Sequence, residues 1–405
     1  MNICYVTPDV AVPYFRGAST HVYEVSRNLS ARGHRVSVVS RRLNRSQPRW
    51  ETIDGFETYR TFQGLAFEPP GSSYSASHVD RESFSSIQKL YFWYLGSYRA
   101  FQLGAEVATV MSGKEIEVVI ERETAFGAGA VLSSILGVPM VLEMIGPRVS
   151  TMSLRRAKKV LAYSKTMARG RVPADKLVLV PAGVNTNMFA PNPEAGARVR
   201  ERHGLGSKLV VGYVGTFQRW HGVNELLIAC ARLDPSLRRL GVLLVGPYYA
   251  GTMKFAEELG MGGTVTFAGP VPYESVPDYV NACDVLCAPY APQLSQLRKD
   301  HGIGAPLKVL EYMACEKAVV STSVVPITEA VESGKTGLLV PPGDVDSLAT
   351  AIGKLIDDPH LRVEMGKEAR KTVISRYSWS SLAENLERVL YAAGAGRGEG
   401  REKRS

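Results

Sequence analysis

The chain has 405 residues, 45% hydrophobic and 21% charged, a composition that excludes a disordered or collagen-like chain and suits two globular domains. Lys and Arg number 48 against 39 Asp and Glu, a net charge of +9, too mild and dispersed to argue for nucleic acid. Cys4, Cys230, Cys283, Cys287 and Cys315 form an odd, sparse set that fits reduced thiols in a cytosolic setting, and the pair at 283 and 287 lacks the companions of a zinc site.

MNICYVTP reads as a strand, without the basic start of a signal peptide. A Pro/Gly loop follows through Gly17. THVYEVSRNLSARGH predicts a helix with Ser19 or Thr20 as N-cap and Gly33 at its end, and RVSVVSRR the next strand. That is a βαβ unit. ETIDGFETYR carries an Asp54-Gly55 hairpin turn. Residues 64–85 are rich in turn formers, and a loop that long is functional or disordered. A long helix is predicted over 86–111; its aromatic run Tyr91, Phe92, Trp93, Tyr94, Tyr98 and Phe101 falls all round it. Core packing is the first account of that run and a lipid-facing surface the sharper one. EVVIER, PMVLEM, KKVLAYS and KLVLVP are strands, with a helix at AFGAGAVLSSILG. Polar residues 190–207 read as a linker entering a helix. KLVVGYVG, VLLVGP, TVTFAG, DVLCAPY, KAVVSTS and GLLVPP are strands of the second half, separated by helices that include GVNELLIACARL, PLKVLEYMAC and PITEAVESG. Two further helices follow, DVDSLATAIGKLIDD and PHLRVEMGKEARKTVIS, and the Gly-rich tail 394–405 is expected to be disordered. No apolar run reaches the roughly 18 residues of a membrane span.

The fold class expected is α/β, with two Rossmann-like, doubly wound parallel sheets facing across a cleft. The first domain is 1–189, the second 190–378, and a helix at about 379–393 crosses back. Residues 1–190 hold 23 basic and 15 acidic side chains, and 191–405 hold 25 and 24, so the excess charge lies in the first half. Its densest stretch is Arg155, Arg156, Lys158, Lys159, Lys165, Arg169 and Arg171, read as a solvated helix face or as a contact for an anionic acceptor or acidic membrane.

Four stretches carry chemistry. In VGYVGTFQRWHG, a strand ends at Val214, Gly215 and Thr216 let a ligand approach the backbone, and a helix begins near Gly222. Its N-terminus favours an anion, with Arg219 and His221 as further donors. Neither GxGxxG nor GxxxxGK[ST] is present. In HGIGAPLKVLEYM, a loop holding Gly304 leads through Pro306 and Leu307 into a helix with Lys308 in its first turn. A cation there opposes the helix dipole, which points to an anion in the site. Glu311 follows one turn later. A lysine for phosphate and a carboxylate for sugar hydroxyls suit a nucleotide's diphosphate and ribose; a plain surface ion pair is the alternative. In FRGASTHVYEV, Gly17 precedes a helix and His21 lies in its first turn. Glu121, Arg122 and Glu143 stand at strand C-terminal ends, where α/β sheets bind ligands, though a buried ion pair explains Glu121 and Arg122 as well.

Together these stretches resemble the retaining glycosyltransferases of family 4, which have the GT-B fold. The resemblance runs through RGASTHVYEVSRNLSARGH, PAGVNTNMFAP, VGYVGTFQRWHGVNELL, VTFAGPVPYESVPDYVNACDVLCAPY, PLKVLEYMACEKAVVST and ESGKTGLLVPPGDVDSLATAI. It implies that Glu311 binds the donor ribose and that Lys308 and Arg219 meet the diphosphate. His221 stands where many members have lysine, Gly17 matches a loop touching the donor phosphate, and Val271 matches the segment whose backbone reads the nucleobase. His21, Glu121, Arg122 and Glu143 are acceptor-side candidates. One departure is Ile303, at the place of the first glutamate of the family's E-x7-E motif, where Asp300 or the backbone near Gly304 can compensate. The donor implied is a UDP- or GDP-sugar and the acceptor a hydroxyl of a glycan, glycolipid or metabolite. No metal and no other cofactor is expected, because Asp344-Val-Asp346 reads as a helix cap rather than a metal motif. The partners are then the nucleotide sugar, the acceptor and, through the basic first half, the inner face of an anionic membrane. A sugar-nucleotide 2-epimerase of the same architecture and a non-catalytic sugar-binding protein are the rival readings.

Overall fold

The computed structural model describes residues 1–13, 17–61, 86–122, 126–145, 149–163, 165–233, 239–247, 250–294, 303 and 305–394. The long loop at 64–85, Asp300, Gly304 and the tail beyond residue 394 lie outside them. The chain divides into two compact units, Met1–Val180 with Leu382–Ser405, and Pro181–Ser381.

The first unit alternates strand and helix: β1 (Asn2–Val6), α1 (Gly17–Ala31), β2 (Arg35–Arg41), the pair β3 (Trp50–Ile53) and β4 (Phe56–Thr61), α2 (Ser86–Met111), β5 (Val118–Arg122), α3 (Ala128–Leu136), β6 (Met140–Met144), α4 (Thr151–Arg156), β7 (Lys159–Ala162), α5 (Lys165–Ala168) and β8 (Leu177–Leu179). The strands form one sheet in the order β3-β4-β2-β1-β5-β6-β7-β8, parallel except for the β3–β4 hairpin. Near-continuous apolar strands such as NICYV and VVIER suit a sheet covered on both faces, and Ile3, Cys4, Tyr5 and Val119 are fully buried. The hairpin turns through Asp54 (φ 41) and Gly55 (φ 91), as the Asp-Gly pair predicts.

Helix α1 begins at Gly17, before the expected caps: Ser19 lies inside its first turn, where its hydroxyl donates to the Ala11 carbonyl at 2.6 Å. Helix α2 has the predicted bounds; of its aromatic run, the side chains of Tyr91, Phe92 and Trp93 lie outside the described residues, and the other three are not core as first expected. Tyr94, Tyr98 and Phe101 are 62%, 52% and 59% exposed, while Ala100, Leu103 and Val107 form the buried face. The basic stretch near residue 160 is not one helix face. It falls on α4, β7 and α5, where Arg156 donates to the Ser133 and Val138 carbonyls and Lys159 to the Asp175 carbonyl.

The second unit holds α6 (Pro193–Arg202), β9 (Leu209–Val214), α7 (Val223–Ala231), β10 (Leu240–Val245), α8 (Ala250–Glu258), β11 (Val265–Gly269), α9 (Val276–Asn281), β12 (Val285–Ala288), α10 (Leu307–Ala314), β13 (Ala318–Thr322), α11 (Ile327–Ala330), β14 (Leu338–Val340), α12 (Val345–Asp357) and α13 (Pro359–Arg376). Its sheet runs β11-β10-β9-β12-β13-β14, with every pairing parallel. The core combines Val211, Leu244, Val285 and Val320 of the sheet with Leu226, Ile352 and Leu355 of the helices. All five cysteines are free and buried.

The polar segment at 190–207 is more than a linker: Asn192 caps α6 at Ala195 (3.0 Å), and Arg200 holds the Ala282 carbonyl. PITEAVESG is helical only over α11, because the Thr336 hydroxyl takes the Glu332 N–H at 2.8 Å and turns the chain. Asp344 does cap a helix, accepting from Ser347 N at 2.9 Å at the start of α12. The last helix, α14 (Trp379–Gly394), runs into the first unit. There Glu387 receives His34 at 2.8 Å and Arg32 at 2.8 Å.

Candidate nucleotide-sugar site

In the second unit, the C-terminal end of β9 is where the sequence concentrates its chemistry. The strand finishes at Val214, and Gly215 follows at φ +153, a conformation that side-chain-bearing residues rarely adopt. A Cβ there would also stand 3.1 Å from the Lys308 Nζ. The bare glycine therefore lets the lysine lie against the turn. One helical turn, Arg219–His221, then leads into α7 through Gly222 at φ +73. Any Cβ at 222 would fall 1.8 Å from the Pro289 carbonyl oxygen.

Helix α10 brings Lys308 and Glu311 to the same place. Tyr312 clamps it to β9: its hydroxyl accepts from Val214 N at 2.8 Å and donates to Val214 O at 2.7 Å. The Lys308 ammonium donates to the Tyr213 hydroxyl at 2.6 Å and lies 4.6 Å and 5.1 Å from the ring centres of Tyr213 and Tyr290. The Tyr213 hydroxyl donates to the Thr216 carbonyl at 2.6 Å, and that carbonyl also accepts from His221 Nδ1 at 2.5 Å. Lys308, Tyr213, Thr216 and His221 thus form one hydrogen-bonded chain. His221 is buried and edge-on to Tyr290.

Burial lowers the Lys308 pKa to about 7, against the pull of Glu311. Burial raises Glu311 to about 7, while a hydrogen bond from Tyr273 (3.1 Å) and the charge of Lys308 act the other way. Both side chains are partly exposed, so a ligand can reach them. A partly desolvated cation at a helix N-terminus is stabilised by an incoming anion.

Arg219 is exposed on the outer side of its turn. It lines a cleft of about 390 Å³ with Phe217, Gln218, Val223, Asn224, Glu225 and Thr252, and Lys308 is not among the walls of that cleft. Pro306 is the residue before α10 and is buried; Leu307 opens the helix and is partly buried. Val271 follows β11, partly buried. Ile303, in place of a glutamate, is 5% exposed and turned inward. Tyr213, Tyr273 and Tyr290 were not legible as site residues, since tyrosines at a strand end or in a loop read as core.

In the first unit, Gly17 opens α1, and His21, Arg122 and Glu143 meet in one buried cluster. Glu143 Oε1 takes His21 Nε2 at 2.5 Å, Arg122 at 3.0 Å and Tyr163 OH at 3.0 Å; Oε2 takes Tyr5 OH at 2.5 Å. Burial pushes the Glu143 carboxyl up, but His21, Arg122 and the donated hydrogen bonds outweigh it and hold the group well below the usual carboxylate range. Burial lowers the His21 pKa. Glu121, fully buried, stands apart from this cluster. It accepts from Ala130 N at 2.8 Å and Ser153 OH at 2.8 Å, capping α3 and tying it to α4. The buried-ion-pair account thus describes Arg122, which pairs with Glu143 rather than Glu121; of the other partners, Tyr5 comes from β1, 138 residues away, and Tyr163 is the residue just after β7.

Two Rossmann-like parallel-sheet units, with a lysine, a carboxylate and a helix N-terminus gathered at the strand ends of one, define the GT-B class. The model for glycosyl transferases group 1 matches residues 197–372, and that for glycosyltransferase family 4 matches residues 15–188. The chain belongs to glycosyltransferase family 4. It is 30% identical over 308 residues to the GDP-mannose-dependent alpha-(1-6)-phosphatidylinositol monomannoside mannosyltransferase of Mycobacterium tuberculosis, covering 72% of this chain and 78% of that enzyme. The enzyme of the same name from Mycolicibacterium smegmatis is 33% identical over 236 residues, which is 57% of this chain and 59% of the relative. Sucrose-phosphate synthase of Thermosynechococcus elongatus shares the fold with a TM-score of 0.73 at 20% identity, over 97% of this chain and 99% of that one. Among the described residues no helix is long and apolar enough to cross a membrane.

Proposed function

We propose that the protein transfers a sugar from a nucleoside-diphosphate donor to a hydroxyl acceptor, with retention of anomeric configuration and without a metal. The observation that carries this reading is the placement of Lys308 and Glu311 one turn apart at the N-terminus of α10, against the bare backbone of Gly215. Lys308 meets the donor's β-phosphate and Glu311 its ribose hydroxyls. As the glycosyl bond breaks, charge grows on the departing diphosphate, and Lys308 with the N-terminus of α10 stabilises it; Arg219, which lines a cleft that Lys308 does not share, is given no part in this step. The family resemblance supports retention, with front-face attack assisted by the leaving phosphate.

The relatives' names make GDP-mannose the first donor to test and a phosphatidylinositol-type lipid the first acceptor class. The basic first half and the exposed aromatics of α2 support contact with an anionic membrane.

The test is an assay of the full chain with GDP-mannose, UDP-glucose and a panel of phosphatidylinositol-type acceptors, with and without EDTA. The expected result is acceptor-dependent release of a nucleoside diphosphate, unaffected by EDTA, and an α-linked product from an α-linked donor. Loss of activity restored by Mg²⁺ or Mn²⁺ overturns the metal-free part, and conversion of the donor without acceptor favours the epimerase reading. A chain that neither binds nor consumes any donor overturns the whole.

A further inference from the structure

We propose that Tyr213 is a positioning residue, whose hydroxyl ties the Lys308 ammonium to the Gly215–Thr216 turn so that the amine is already aimed when a nucleoside diphosphate arrives. The inference rests on reading Lys308 as the diphosphate contact, and it concerns a residue that this reading does not use.

Tyr213 is completely buried on β9. A buried phenol needs one partner to offset its lost hydration. This one has two, at 2.6 Å each: it accepts from Lys308 on α10 and donates to the Thr216 carbonyl. Lysine is a flexible stem ending in a strongly hydrated point charge, so an amine left to itself occupies many rotamers. Here the hydroxyl fixes where Nζ lies and the Tyr213 and Tyr290 rings cover two of its approaches. The same hydroxyl fixes the Thr216 carbonyl, which in turn holds His221. Amine and turn are set by one atom.

The hydroxyl also bears on the charge. Among the described residues, the groups facing Lys308 are Glu311 from its own helix, Tyr213 from β9 and Tyr290 from the segment after β12. Burial alone drives the ammonium toward neutrality near pH 7, so an acceptor in contact helps keep it charged. A tyrosine that merely filled the core would do none of this, and phenylalanine would replace it without consequence for ligand binding.

The experiment is calorimetric titration of the full-length wild type, Tyr213→Phe and Lys308→Ala with GDP and with UDP between about pH 6 and pH 9, alongside thermal unfolding. We expect Tyr213→Phe to stay folded and to bind the diphosphate about tenfold more weakly at pH 7. Its affinity should also fall away at lower pH than the wild type's, because the ammonium has lost an acceptor. If the wild type binds and Lys308→Ala does not, while Tyr213→Phe matches the wild type in affinity and pH profile, the inference is overturned and the role of Lys308 stands. If Lys308→Ala binds as well as the wild type, or the wild type binds neither nucleotide, the reading beneath the inference fails instead. Should Tyr213→Phe unfold, 4-fluorophenylalanine at 213 fills the space of the hydroxyl with an acceptor too weak to hold the amine. The same shift of the profile to lower pH is then expected, and an unmoved profile overturns the proposal.

Discussion

At Lys308, burial and charge oppose each other: the amine is held near a pKa of about 7 by lost hydration, against the attraction of Glu311. A diphosphate placed beside it restores the charge, so binding must take up a proton. We expect GDP affinity to fall as pH rises through about 7, with proton uptake visible as a dependence of binding heat on the buffer. Glu311 sets the other limb. Burial raises it to about 7, so below that pH it is protonated and accepts ribose hydroxyls poorly; affinity should fall on the acid side too. Lys308→Ala should cost roughly 10²–10³ in kcat, the loss typical of removing a donor aimed at developing charge. Glu311→Ala should raise the donor KM by about tenfold or more, since a hydrogen bond to a charged group contributes about 1.5–3 kcal/mol. Steady-state kinetics with the preferred donor check both, and wild-type constants would refute the assignments. This pair was legible because a proline, a lysine and a glutamate at helical spacing state their own geometry. Tyr213 and Tyr273 were not, because their partners are 95 and 38 residues away in sequence.

At the scale of elements, the alternation of short apolar strands with amphipathic segments specified both sheets, and the Asp-Gly turn specified the hairpin. What escaped was set by contacts that no local pattern carries. Ser19 looks like a cap but spends its hydroxyl on the Ala11 carbonyl, and α1 starts earlier. The short helices α4 and α5 are too brief for periodicity to show. The meeting of β1, β5, β6 and α1 around Glu143 was equally hidden, since Tyr5 stands 138 residues away from it. That cluster yields a stability prediction. Glu143 is the acceptor for four donors, so Glu143→Gln leaves Arg122 buried without its counter-charge, a change that costs about 3–5 kcal/mol. Because the folded carboxyl is held below its ordinary value of 4.5, its stabilisation is complete above that pH and is lost only as pH falls through the depressed range. Denaturant unfolding should therefore show the same deficit at pH 6 and pH 8. A variant as stable as the wild type would reduce the cluster to a neutral packing detail.

Across the whole molecule, charge and apolar surface are unevenly shared. Residues 1–190 carry a net excess of eight basic side chains and the remainder only one. In that same half α3 packs against both α2 and α4, and these three helices expose Tyr94, Tyr98, Phe101, Ile135 and Met152, from 43% to 62% each. Arg155, Lys158, Lys165, Arg169 and Arg171 are exposed on α4, on α5 and in the segments around them. Exposed aromatic and basic side chains in one unit suit the interface of an anionic bilayer, where each Lys or Arg near the surface contributes about 1 kcal/mol and each apolar side chain adds what it buries. We expect the full chain to sediment with phosphatidylglycerol vesicles and not with phosphatidylcholine, and to be released as salt rises from about 0.05 M to 0.5 M, where charge attraction is screened within a few ångströms. Arg155→Glu with Lys158→Glu should weaken vesicle binding by about tenfold or more. Tyr98→Ser with Phe101→Ser should weaken it comparably while making it no less salt-dependent, since that pair removes burial and not charge. Donor affinity, which the second unit's residues carry in this account, should be unaffected by either pair. Equal binding to both vesicle types, or binding indifferent to the charge reversals, would leave the asymmetry as a matter of solubility alone.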